Sequence, residues 1–99
     1  MKITLSKPLT VRDEAFSELE LDLSALTGKD LLDVEAALKA KGISVAAWEY
    51  SRSFCAAVAA KALGIPSAAL NELPASDFTK IVNETLIFLA GQESSDLTA

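Results

Sequence analysis

Few side chains in this sequence have the type and spacing that chemistry needs. Cys55 is the only thiol and the chain contains no histidine, so the usual neutral-pH base that would activate a sulfur nucleophile is missing. Cys55 stands beside Phe54 in an uncharged run from Ser53 to Ala60, and a cysteine in such company packs as a small hydrophobe. Glu18, Glu20 and Asp22 recur at every second position, which on a strand turns three carboxylates to one side, as an acid/base pair or a metal site would require. Nothing else in the sequence completes such a site. The stripe reads as a solvated face whose charge discourages edge-to-edge pairing. A small enzyme would follow only if these carboxylates held a metal; no catalytic residue, metal site or cofactor is expected.

A different chemistry is suggested by Ala60-Lys61-Ala62-Leu63-Gly64-Ile65-Pro66-Ser67-Ala68-Ala69-Leu70, which has the spacing of a helix-turn-helix. The helix after the turn would have to reach bases and phosphates. Ser67 to Leu73 carries no lysine or arginine, has only Asn71 and Glu72 as longer polar groups, and is closed by Pro74. A DNA-binding regulator is therefore the runner-up reading, and no nucleic-acid partner is expected. Contact with another protein is better served. Trp48 and Tyr50, near the start of the second expected helix, are the side-chain types that anchor interfaces, and Val58 and Phe88 lie on that helix and on the last one. These four residues are the expected partner-binding set.

The elements that must position them follow from two periods. Ile3, Leu5, Leu9, Val11, Leu19, Leu21 and Leu23 all fall on odd positions, the two-residue period of a half-buried strand. A loop over Arg12 to Ala15 predicts a hairpin spanning 2–24, and Pro8 belongs at its solvent edge or at a bulge. The period then changes. Thr27 with Asp30 resembles a capping box and Leu26 with Leu31 a hydrophobic staple, opening a helix over about 28–41 that buries Leu31, Val34 and Leu38 until Gly42 stops it. Ser44 then caps a helix over 45–63 that carries Ala47, Phe54, Cys55, Val58, Ala59 and Ala62 on one side and ends at Gly64 and Pro66. A short helix over 67–73 ends at Pro74. Ser76 or Asp77 caps the last one, 77–90, with Phe78, Ile81, Val82, Thr85, Leu86 and Leu89 at helical spacing. The fold class is α+β: a two-stranded antiparallel hairpin, three main helices and a short one in a single domain over 1–91, with 92–99 as a flexible tail.

Composition fits that reading. The chain has 99 residues, 51% hydrophobic and 23% charged, with nine basic and fourteen acidic residues and a net charge of -5. Such a balance is too apolar for disorder and repels phosphate backbones and anionic membranes alike. No stretch is long and apolar enough to cross a membrane and none resembles a leader peptide, so use in the cytoplasm is expected. Charges thin out after residue 45, where Trp48, Tyr50, Phe54, Phe78 and Phe88 gather. The uncharged run Ser53–Ala60 is wider than one buried stripe needs, which predicts that part of this helix buries a second face against another chain. The hairpin edge and the alanine-rich helix could each pair with a copy of itself, so homo-oligomerisation is open.

Leu5-Ser6-Lys7-Pro8-Leu9-Thr10-Val11, Ser17-Glu18-Leu19-Glu20-Leu21 and Leu26-Thr27-Gly28-Lys29-Asp30-Leu31 resemble the opening of the small tail assembly chaperones of Mu-like phages and related prophages. Leu63-Gly64-Ile65-Pro66, Leu70, Leu73 and Ser76-Asp77-Phe78 are similar to that family's C-terminal half. The turn at Arg12-Asp13-Glu14, where a glycine would be expected, and the segment from Gly42 to Arg52 depart from the pattern. The resemblance implies a non-catalytic protein that binds the tape measure protein and keeps it soluble until the tail tube polymerises. It also implies a second, longer form of the chain made by ribosomal frameshifting, action in the cytoplasm of the bacterial host, and absence from the mature virion.

Overall fold

The computed structural model describes residues 1–43 and 51–91. Strand β1 (Lys2–Val11) and strand β2 (Glu14–Glu20) form an antiparallel hairpin. All seven odd-position residues of the two-residue pattern, from Ile3 to Leu23, are at most 8% exposed. The loop is tighter than the four residues expected. Val11 pairs with Glu14 and Thr10 with Ala15, so only Arg12 and Asp13 make the turn. Their φ values of 52° and 67° supply the left-handed pair that a two-residue turn needs to match the twist of the strands.

The hairpin is broken in its middle. Thr4 pairs with Glu18 and Leu9 with Phe16, so Leu5, Ser6, Lys7 and Pro8 face Ser17 alone. Pro8, which has no N–H to give to a ladder, sits in this bulge as its chemistry requires. The neighbouring Ser6 N–H still needs an acceptor. It donates to Asp77 Oδ2 at 2.9 Å, and the Ser6 hydroxyl donates to the same oxygen at 2.8 Å.

Four helices follow among the described residues. A 3-10 turn at Leu23–Ala25 is capped by Asp22, whose side chain accepts from Ser24 N–H. Helix α1 (Gly28–Ala40) opens on the expected capping box: Thr27 accepts from the Asp30 N–H while Asp30 accepts from the Thr27 N–H. Such a cap is worth roughly 1 kcal/mol. Val34 and Leu38 are buried and Leu31 half-buried. The helix closes with Gly42 at φ 85°, where Ile43 N–H reaches Leu38 O and Gly42 N–H reaches Lys39 O, the paired bonds of a Schellman stop.

Helix α2 (Arg52–Leu63) is capped by Ser51, whose side chain accepts from Phe54 N–H. Ser51 has extended backbone, with ψ 129°, so the expected helix over 45–63 is interrupted there and its described part starts at Arg52. Ser44, Ala47, Trp48 and Tyr50 lie outside the described residues. Gly64 at φ 73° ends α2. Helix α3 is the single turn Ser67–Leu70, shorter than the expected 67–73, with a turn at Asn71 and Glu72 before Pro74.

Helix α4 (Ala75–Leu89) begins two residues earlier than expected, and neither Ser76 nor Asp77 caps it. Its cap residue is Pro74, without a side-chain hydrogen bond. Asp77 lies inside the first turn, 2% exposed, and reaches across to the β1 bulge. The core fills the space between the hairpin's leucine face and α1 to α4, with Leu70, Ile81, Val58, Thr85 and Cys55 fully buried. Helix α2 is its centre and packs on α1, α3 and α4.

Burial opposes ionisation of Asp77, but the Ser6 hydroxyl and N–H, the Lys80 charge and the Lys7 N–H outweigh it and hold the carboxyl below its ordinary range. A depressed folded-state value stabilises the fold above the unfolded pKa and loses that effect as pH falls through the folded value. Asp77→Ala should therefore lower Tm at pH 7, and the gap from the parent chain should close below about pH 4. Ser6→Ala, which keeps the N–H bond, should cost less. Thermal melts followed by circular dichroism between pH 2 and pH 7, roughly the carboxylate titration range, check both. In the turn, Arg12→Asn with Asp13→Gly should raise stability by about 1 kcal/mol, because neither replacement resists a positive φ as strongly.

Candidate functional site

Depressions with partly apolar lining lie at two places, and Leu32, exposed on α1, stands outside both. The first is the C-terminal end of α4, where Ile87 is 41% exposed and Met1 58% exposed. With Leu21, Leu23 and the half-buried Phe88 they line a depression of about 330 Å³, edged by Asp22 and Glu84. The Ser24 hydroxyl and N–H hold the Asp22 carboxyl below its usual range, so this edge is negative at neutral pH. The Met1 amino group donates to Glu20 Oε2 and Leu21 O, both at 2.9 Å, which fixes the strand end that forms one wall.

The second is a furrow across the helices. One depression of about 240 Å³ runs between α1 and α2 over Val34, Ala37, Leu38 and Ala57. A second, of about 210 Å³, shares Leu38, Lys41, Ala57 and Ser67 with it and continues past Ala56 to Phe78. A third, of about 470 Å³, shares Arg52, Asn71 and Phe78 with the second and reaches Leu73 and Thr79. The three adjoin through these shared residues and together make the furrow. Alanines form much of its floor because α2 is built from them, and small side chains let another backbone approach closely.

The expected contact residues fare differently. Phe88 lies at the surface depression. Val58 is 0% exposed and contributes through the packing of α2. Trp48 and Tyr50 lie outside the described residues. The wide uncharged run of α2 is also accounted for within the chain. Phe54, Val58, Ala59 and Ala60 join the main core, while Cys55 and Ala56 pack on Val82 with Phe78, Leu86 and Leu89 of α4 around them. A second face is buried, as the pattern implied, and it packs on α4. Leu32, 65% exposed on α1, Ile87 and the furrow itself escaped the sequence reading. The available signals were two apolar residues in succession, Leu31-Leu32, and the run Leu86-Ile87-Phe88-Leu89, where a single buried stripe would admit fewer.

The other chemical candidates resolve locally. Burial pushes the Cys55 thiol up, away from the reactive thiolate. Glu18 and Glu20 are exposed and meet Lys2 and the Met1 amino group, whereas Asp22 caps the 3-10 turn. Among the described residues no group of three or more acidic, cysteine or histidine side chains is placed to hold a metal, and no helix is long and apolar enough to cross a membrane. The turn between α2 and α3 leads into the single helical turn Ser67–Leu70, which carries no cation.

The geometry defines a small hairpin-and-helix scaffold with open, apolar-floored depressions. Residues 2–88 match the model of the family described as phage tail assembly chaperone proteins, E, or 41 or 14, and the chain belongs to that family. No curated protein and no solved structure matches it. Membership brings a role in tail assembly and implies a protein partner there; the family is generally non-catalytic.

Val58→Ala should lower stability by roughly 2 kcal/mol through lost burial and a residual cavity. Ile87→Ser should shift it by no more than about 0.5 kcal/mol. Urea unfolding monitored by fluorescence separates the two and tests the division between core and contact surface.

Proposed function

We propose that this protein is a non-catalytic chaperone that binds the tape measure protein and keeps it soluble before the tail tube polymerises. The observation that carries the proposal is the family match over residues 2–88. Its physical support is apolar surface left open on a rigid scaffold at Met1, Leu32 and Ile87, which suits the docking of amphipathic helices. The net charge of -5 would help keep an apolar complex dispersed. The chaperone acts in the host cytoplasm and leaves before the virion is complete. A frameshifted longer form of the chain and a homo-oligomer are further members of the proposed assembly system.

Co-expression with the tape measure protein from the same phage tests the proposal. The client should move from the pellet to the soluble fraction and co-elute with the chaperone, and Ile87→Glu, at an exposed position, should reduce the soluble client while the chaperone itself stays folded. A client equally insoluble with and without the wild-type chain would overturn the reading.

A further inference from the structure

The furrow across the helices has a charge opposite to that of the whole molecule. Its described lining holds three cations, Lys41, Lys61 and Arg52, and one acid, Asp33. Asp33 is already held by Lys29 at 2.9 Å, and Lys61 lies 3.9 Å from Asp30. Lys41 and Arg52 are exposed and make no ion pair among the described residues. Arg52 is also the first residue of α2, where the positive end of the helix dipole disfavours a cation. Helix stability therefore does not explain its charge. Lys41, at the C-terminal end of α1, approaches the same depression from the opposite wall, and both line the segment between Leu38 and Phe78.

An apolar floor with cations along its edges is complementary to a helix whose apolar stripe is flanked by Asp or Glu. We infer that the furrow bounded by Lys41, Lys61 and Arg52 is the docking site for an amphipathic, acid-flanked helix of another protein. This inference rests on the chaperone reading and names the chemistry of the client segment. The alanines at 37 and 57 allow close approach, and the cations choose among helices whose apolar faces are alike.

The probes are two fluorescein-labelled helical peptides of about 18 residues, five turns, with the same leucine and alanine stripe and either glutamate or lysine flanks. By anisotropy the glutamate peptide should bind about tenfold or more tightly than the lysine peptide, and added NaCl should weaken it. Lys41→Glu with Arg52→Glu should remove or invert the preference. Both positions are exposed, and circular dichroism with a thermal melt verifies the fold; Lys41→Ala with Arg52→Ala, giving a partial loss, is the milder second variant. Equal binding of the peptides, preference for lysine flanks, binding of neither, or unchanged preference in both variants would overturn the inference. So would sedimentation showing a dimer that these charge reversals dissociate, because a second copy would then be the occupant. Co-expression separates this from the broader proposal. Client solubilised equally by the parent and the folded charge-reversed chain removes the furrow's role and leaves the chaperone standing, whereas client insoluble with the parent removes the chaperone.

Discussion

The hydrogen bonds from Ser6 to Asp77 join parts of the chain 71 residues apart, and the arrangement of the helices depends on them. A two-stranded hairpin is marginal in water, and this one is interrupted where Leu5 to Pro8 bulge away from Ser17. The interruption would leave a main-chain donor without a partner at the edge of the core, an unfavourable state in a low-dielectric interior. Asp77 removes that penalty and anchors the first turn of α4 against β1. Its carboxylate also lies near the positive end of the α4 dipole, so the contact satisfies strand and helix together. Once α4 is placed, Ile81, Val82 and Thr85 set where α2 can lie.

Helix α2 answers that constraint with small side chains. Ala56, Ala59 and Ala60 are buried together with Cys55 and Val58, so the helix is enclosed on two faces by its own chain. The same composition shapes the surface. Where α2 meets α1, alanines leave a furrow that leucines would fill, and the apolar area available to a partner is a recess floored by Ala57 and Leu38. A second open area lies around Ile87 and Phe88, where the end of the hairpin at Met1 and Leu21 meets the last turns of α4. A chaperone must avoid aggregating with its own copies while empty, and apolar floors set below charged or polar edges meet that need better than a flat greasy face.

Local signals in the sequence were enough for most elements. Odd-position leucines marked the hairpin, Thr27 with Asp30 marked the start of α1, and Gly42 and Gly64 marked two helix ends, because each depends on residues within a few positions. Phe16 carried a signal that the two-residue period concealed. It is the even-numbered partner of Leu9, whereas Leu19 pairs with Ile3, and both pack on one core; that change of parity is the bulge seen from β2. The cap of α2 at Ser51 was not singled out locally, since Ser44 and Ser51 both stand a few residues before apolar side chains. Asp77 resembled a helix cap for the same reason. Its partner is distant in sequence, and no pattern within α4 reveals it. The contact surface was legible in kind and not in place: the apolar second half was apparent, but which of its faces the chain consumes internally depends on how α2 and α4 meet.

Net charge also misleads about recognition at this scale. A total of -5 suggests that acidic partners are repelled, but the molecule extends 44 × 34 × 22 Å and charges in physiological salt are screened over about 8 Å. Local composition therefore decides. Glu14, Glu18, Glu20 and Asp22 are gathered along the hairpin and the turn that follows it, and none of them lines the furrow. Among the described residues the charged lining of the furrow is Lys41, Lys61 and Arg52 with Asp33. On the docking inferred above, the acidic hairpin and the basic furrow edge are separate surfaces, each acting over its own screening distance.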